Sequence, residues 1–483
     1  MMRPHRRVGW GLAVFRGYVV SLIITHGLII TAGREFAGDI RIDGGRISGI
    51  GSFQGGSADT VVDASGLLVI PGGVDVHTHL EAPVGGTMSS DDFASGTRAA
   101  AFGGTTCIVD FATQSRGEKL MPVLDAWRHK GEKAVIDYGL HMIVTDTGAG
   151  QLDALGDLVR EGVTSFKLFM AYPGSLMVDD GTIYRIMRVA GKLGALVSIH
   201  AENGWVIEQL IRDALAAGDT APRFHARTRP ASAEGEATNR AITLAAIAGV
   251  PVYIVHVTCR ESLEAIVRAR ETGERVFGET CPQYLLLSAA DLERPGFEGA
   301  KYVLTPPLRG RADQEALWNA LGAGNLQAVA TDHCPFMFRG QKDAGKDNFT
   351  RIPNGGPGIE NRMELLFHYG VNQGRVTAQQ WVDLCSASPA RMFGLYPRKG
   401  EIAPGADADI VLWDPEMPGV VRAAEHHMNV DYSMYEGLEL KGRPRTVIAG
   451  GDVVVDGGRW IGGTHRGRYI PREPFGAAYR QGP

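Results

Sequence analysis

Along residues 18–70, apolar positions come in short runs broken by glycine, at 19–25, 28–31, 39–42, 46–50 and 61–63. Runs of this length between turn residues predict strands, and His26-Gly27 predicts a hairpin turn between the first two. From Pro71 the rhythm changes to apolar strand, loop and amphipathic helix, repeated. Strands are expected at 73–79, 105–111, 138–145, 164–170, 195–200, 252–257, 275–280 and 327–331, with helices such as 152–161, 183–193, 236–248 and 261–270 between them. Eight strands alternating with helices are the count and order of a (β/α)8 TIM barrel. A doubly wound sheet is the competing arrangement, but no Gly-x-Gly-x-x-Gly loop follows a first strand to hold a dinucleotide phosphate.

After Leu395 the short β runs return, at 408–413 and 446–455, around turns at Gly450-Gly451 and Gly457-Gly458. Neither terminal β segment is large enough to fold alone, so the two are expected to pair into one small β-sandwich beside the barrel. The resulting plan is a disordered extension over 1–16, a β-sandwich from 17–70 and 396–465, a metal-dependent barrel over 71–395, and a tail over 466–483. That tail is rich in arginine and aromatic residues and reads either as a contact to a neighbouring subunit or as disorder.

Composition narrows the function. The chain has 483 residues, 44% of them hydrophobic, and a formal net charge of −5 without a run of like charges, so neither a nucleic acid nor a membrane surface is the expected partner. The apolar stretch at 19–30 is too short to span a bilayer. Cys107, Cys259, Cys281, Cys334 and Cys385 are odd in number and contain no Cys-x-x-Cys pair, which suits reduced thiols in a cytoplasmic enzyme. Cys334 reads as small packing filler.

Candidate chemistry begins with His77 and His79, one residue apart in Val74-Asp75-Val76-His77-Thr78-His79. In an extended strand they point to the same face, a spacing that suits a metal ion but also arises by chance. Active sites of TIM barrels lie at the C-terminal ends of the strands. There the sequence places His77 and His79 on the first strand, Lys167 on the fourth, His200 on the fifth, His256 on the sixth and Asp332 after the eighth. Singly, each has a plain alternative: a satisfied core histidine, or for Asp332 a helix cap. The coincidence of all six at strand ends is what those alternatives do not supply. Lys167, in Ser165-Phe166-Lys167-Leu168-Phe169, is a burial problem, because an amine there must be paired, neutralised or snorkelled to the barrel mouth. A desolvated amine is nucleophilic, and its carbamate with carbon dioxide would be an anion able to bridge two metals.

These motifs, with Ile199-His200-Ala201-Glu202-Asn203, Val255-His256-Val257-Thr258, Gly278-Glu279-Thr280-Cys281-Pro282, Thr305-Pro306-Pro307-Leu308, Thr331-Asp332-His333-Cys334-Pro335 and Pro353-Asn354-Gly355, occur in family order. Together they resemble the dihydropyrimidinase and D-hydantoinase family of cyclic amidohydrolases, over about residues 20–463. The resemblance implies two zinc ions, with manganese or cobalt as substitutes. His77 and His79 would hold one, His200 and His256 the other, and N6-carboxylated Lys167 and a hydroxide would bridge them, with Asp332 completing the first site. It further implies that the hydroxide attacks the carbonyl of a dihydropyrimidine or a 5-substituted hydantoin, opening the ring to an N-carbamoyl amino acid. Asp332 would shuttle the proton, Tyr172 would donate to the oxyanion, and Tyr172, Thr305 and Asn354 would contact the substrate.

Two departures touch the pocket: Thr305 stands where the family usually has serine, and Pro173 where it often has lysine. The neighbourhood Leu80-Glu81-Ala82-Pro83 lacks the arginine with which dihydroorotases grip a carboxylate and the asparagine typical of allantoinases, so a neutral ring is expected. The resemblance also implies a homotetramer. The competing readings are a non-enzymatic tetrameric scaffold of the same fold, or another cyclic amidohydrolase such as an allantoinase.

Overall fold

The computed structural model describes residues 21–148, 150–463 and 467–475. The expected extension at 1–16 lies outside them. Eight parallel strands form the central sheet: β1 (Gly73–Thr78), β2 (Thr105–Thr113), β3 (Asp137–Ile143), β4 (Ser165–Phe169), β5 (Leu196–His200), β6 (Val252–Ile254), β7 (Val276–Thr280) and β8 (Ala328–Val329). Each pairs with its neighbour in sequence, and the ends meet through a parallel bridge between Thr78 and His333 and a 2.8 Å bond from His79 N to His333 O. Asp75 on β1 ties the seam further, accepting from Thr331 N at 3.1 Å and Thr331 Oγ1 at 2.6 Å.

The strands are apolar on both faces because helices cover the outside, which is why they read as continuous hydrophobic runs. Those helices include α1 (Gln151–Arg160), α2 (Asp180–Leu193), α3 (Ala231–Ala248) and α4 (Arg260–Glu271), matching the four expected segments. α2 starts where Asp179 caps Thr182 N and stops at Gly194, whose φ of 69° is the left-handed conformation that ends helices cheaply. No helix among the described residues is long and apolar enough to cross a membrane.

The flanking β structure is one sheet of nine strands drawn from both halves of the chain, eight on a continuous hydrogen-bonded path and Thr60–Asp63 pairing off it with Leu22–Ile30. Its join is antiparallel pairing of Leu68–Pro71 with Ile410–Val420, and residues such as Ile24, Ile40, Leu412 and Ile448 give it a core of its own. The hairpin expected at His26-Gly27 is absent. Leu22–Ile30 is a single strand with a bulge there, its first half pairing with Thr60–Asp63 and its second with Leu68–Val69. The turn-like residues allow the kink, with His26 at φ 60°.

Five barrel strands end earlier than their expected runs: β3 and β4 by one or two residues, β1 before His79, β6 before His256, and β8 covering only two residues of 327–331. His256 and Asp332 have φ of 39° and 51°, so the backbone has already left the extended conformation where these polar side chains begin. At the opposite end, residues 467–475 pack on the chain's own barrel: Ile470 N bonds Tyr138 O, and buried Arg472 donates to Leu140 O and Ser165 Oγ. The rest of the expected tail contact, 476–483, lies outside the described residues.

Candidate metal centre

The six side chains expected to hold metal come together at the C-terminal mouth of the barrel. Asp332 Oδ1 lies 3.2 Å from His77 Nε2 and 3.2 Å from His79 Nε2. On the other side His200 Nδ1 faces His256 Nε2 at 2.9 Å. The two groups adjoin, since one donor atom each from His77, His256 and Asp332 lies within 4.8 Å of the others. Lys167 joins them through Phe111: that ring centroid is 4.7 Å from His77, 5.0 Å from His79 and 5.1 Å from the lysine Nζ.

The donor set fits divalent metal. Bonds of about 2.0–2.1 Å in a tetrahedral site put neighbouring ligand atoms about 3.3 Å apart, close to the spacing of Asp332 from both histidines. Two histidine nitrogens at the cluster, His77 Nε2 and His256 Nδ1, are buried without a hydrogen-bond partner. Such groups are costly unless something else claims them. Burial also holds both imidazoles well below the usual histidine range, so they are neutral and have lone pairs to offer.

Electrostatics at Lys167 follow from the same burial. Desolvation brings the amine down to about 8, against the opposing pull of Asp332 and Glu279. Among the described residues no ion pair neutralises it. Burial raises Asp332 in turn, but His77, His79 and Lys167 outweigh it and keep the carboxyl below the ordinary range.

The three expected substrate contacts sit on adjoining loops. Asn354 Nδ2 donates to Tyr172 Oη at 3.4 Å, and Tyr172 has φ of 64°. Its hydroxyl is raised by burial and stays protonated at neutral pH, so it can donate. Thr305 Oγ1 lies 3.2 Å from His225 Nε2, and its side chain also meets the Tyr172 hydroxyl. Cys334 is buried and its thiol pushed well up, which agrees with filler and not with a nucleophile.

Reading strand ends for metal ligands overlooked the carboxylates behind them. Glu279, at the end of β7, is fully buried and bonds His77 Nδ1, while accepting from Tyr253 Oη at 2.9 Å and His256 N at 3.4 Å. Glu202, two residues past His200, accepts from its Nε2 at 2.7 Å. Asp110 on β2 clamps the His-x-His turn through Thr78 Oγ1 at 2.8 Å and Leu80 N at 2.9 Å. Their signal was in the sequence, as acidic residues within apolar strands for Asp110 and Glu279 and just past one for Glu202. Partners of this kind fix the tautomer and orientation of ligating histidines.

Comparison with known proteins adds an independent line. The model of the amidohydrolase family matches residues 68–454. A D-hydantoinase of Streptomyces coelicolor is 53% identical over 93% of this chain and 97% of its own length, and one of Geobacillus stearothermophilus is 49% identical over 95% and 98%. The crystal structure of dihydropyrimidinase from Brevibacillus agri NCHU1002 superposes with a TM-score of 0.93 at 49% identity, covering 95% of this chain and 100% of that one.

Proposed function

The chain belongs to the amidohydrolase family, and on that premise we propose that this enzyme opens dihydropyrimidines or 5-substituted hydantoins, the latter in the D series, to N-carbamoyl amino acids. It is a hydrolase of cyclic amides, and the chemistry of its family is metal-dependent. The observation that carries the substrate reading is the complete set of His77, His79, Lys167, His200, His256 and Asp332 at one barrel mouth, beside Tyr172 and Asn354. A scaffold has no use for six such side chains converging at one mouth.

In this reading the six residues would hold two zinc ions, and Lys167, carboxylated at N6, would supply anionic oxygen ligands. Bound metal of this kind lowers the pKa of water from about 16 to about 7 and polarises a carbonyl. Asp332, held ionised by its neighbours, accepts the proton of the attacking water and returns it to the leaving ring nitrogen. Tyr172 donates its hydroxyl proton in a hydrogen bond to the oxygen that gains charge as the carbonyl carbon becomes tetrahedral. The backbones around Thr305 and Asn354 hold the ring amide in line. Glu202 and Glu279 keep His200 and His77 turned toward the cluster.

A homotetramer in a reducing cytoplasm completes the proposal; all five cysteines are free and buried. The test is zinc analysis together with turnover of dihydrouracil, 5-phenylhydantoin and allantoin by the same preparation. About two zinc per chain and N-carbamoyl products from either of the first two substrates support the reading. Turnover of allantoin alone, or metal-free protein that opens none of them, defeats it.

A further inference from the structure

Between Asp332 and Asn354 the chain forms a small lobe with short turns at Lys342–Gly345 and Phe349–Arg351, and from it Lys342 points inward. The side chain is 0% exposed, and no carboxylate among the described residues pairs with it. Nζ donates to Val303 O and to Pro353 O, at 3.0 Å each. An apolar side chain would fill the same volume without the cost of burying an amine, so the two hydrogen bonds are what lysine contributes here. Burial brings that amine down to about 7.

The two carbonyls belong to the two substrate loops. Val303 lies two residues before Thr305, and Pro353 immediately before Asn354. A 3.1 Å bond from Gly355 N to Val303 O makes a further link between the loops. Other carbonyls of the first loop are also claimed from behind: Leu304 O by His225 Nε2 at 2.8 Å, and Pro306 O by Tyr284 Oη at 2.8 Å. Among the described residues the Thr305 carbonyl between them accepts no hydrogen bond. The loop is thus pinned on both sides of the one peptide group left open.

We propose that Lys342 is a positioning residue for the substrate ring, its Nζ fixing the separation of the Thr305 and Asn354 loops and so the grip on the ring amide. This rests on the substrate role proposed above for those two loops. The lysine touches neither metal ligand nor substrate, so its loss acts on ring binding more than on the chemical step.

The test compares the zinc-loaded wild type with Lys342→Met on dihydrouracil and 5-phenylhydantoin. Loss of the two bonds is expected to raise KM about tenfold while kcat falls less than about threefold, with zinc content unchanged. Lys342→Gln, whose amide keeps N–H donors on a shorter stem, should recover part of the KM. If the methionine variant does not accumulate folded, the glutamine variant is judged by the same split. A folded variant with wild-type KM overturns the inference alone. Failure of the wild type to open either ring overturns the substrate reading and the inference together.

Discussion

His200 Nε2 donates to Glu202 Oε2 across 2.7 Å, and this bond decides which nitrogen of the imidazole is left for metal. With Nε2 protonated, Nδ1 presents its lone pair on the side where His256 Nε2 lies 2.9 Å away. Burial alone would raise the Glu202 carboxyl, but the bond to His200 together with the charges of Arg229 and Arg309 outweighs it and keeps Glu202 ionised. Glu202→Gln retains the shape and loses the charge. Metal affinity, read by competition with a chromogenic chelator, should fall about 10- to 100-fold while the circular dichroism of the apo-protein is unaltered. Equal affinity in the two proteins would show that Glu202 does not orient a ligand.

How much of this could be read from residues alone differs between the barrel and its site. The eight strands were legible because burial on both faces leaves nearly unbroken apolar runs. The six candidate ligands stood out because each interrupts or ends such a run. Glu202 and Glu279 have equally unusual settings, but their role depends on which histidine nitrogen they meet, and that is a three-dimensional relation. The His26-Gly27 bulge was misread as a hairpin because a turn and a bulge use the same residues; only pairing to two different partners distinguishes them.

In the proposed mechanism Tyr172 serves charge that exists only part-way through the reaction. Its hydroxyl is raised by burial, so it remains a donor throughout the working pH range. Tyr172→Phe should keep its full metal content and lower kcat about 100- to 1000-fold, the usual cost of one oxyanion donor. Steady-state kinetics beside metal analysis provide the check, and undiminished kcat would remove Tyr172 from the chemical step.

Far from the site, Lys399 joins barrel to flanking sheet. Its Nζ lies 2.7 Å from Asp137 Oδ2 at the start of β3, 2.7 Å from Asp409 Oδ2 and 3.1 Å from Asp407 Oδ2. Burial opposes ionisation of Asp137, but Lys399 and Arg468 prevail and hold it at about 2, below the ordinary 3.8. A carboxyl depressed on folding stabilises the native state fully above its unfolded value and loses that contribution as pH falls through its native one. Asp137→Asn should therefore cost about 2 kcal/mol at pH 7. The gap between the two proteins in urea melts should hold from pH 7 to pH 5 and shrink by about half at pH 3. A gap that stays constant to pH 3 would assign the loss to packing instead of charge.

Lys167 separates a structural lysine from one that becomes a ligand. If it serves only as a buried cation, Lys167→Ala costs packing and stability, and no small molecule restores activity. If it serves as a carbamate, the variant loses the oxygens shared by the two metals and gains a cavity open to a small carboxylate. Zinc content should then fall below two per chain and turnover should collapse. Millimolar formate or acetate should restore part of both, whereas methylammonium, which replaces the cation but offers no oxygen, should restore neither. The order of addition matters as well. Carboxylate added before zinc should rescue faster than zinc added first, because the anion is needed to lower the cost of placing two cations side by side. Rescue by the amine, or by neither compound in a folded variant, would remove the bridging role from Lys167.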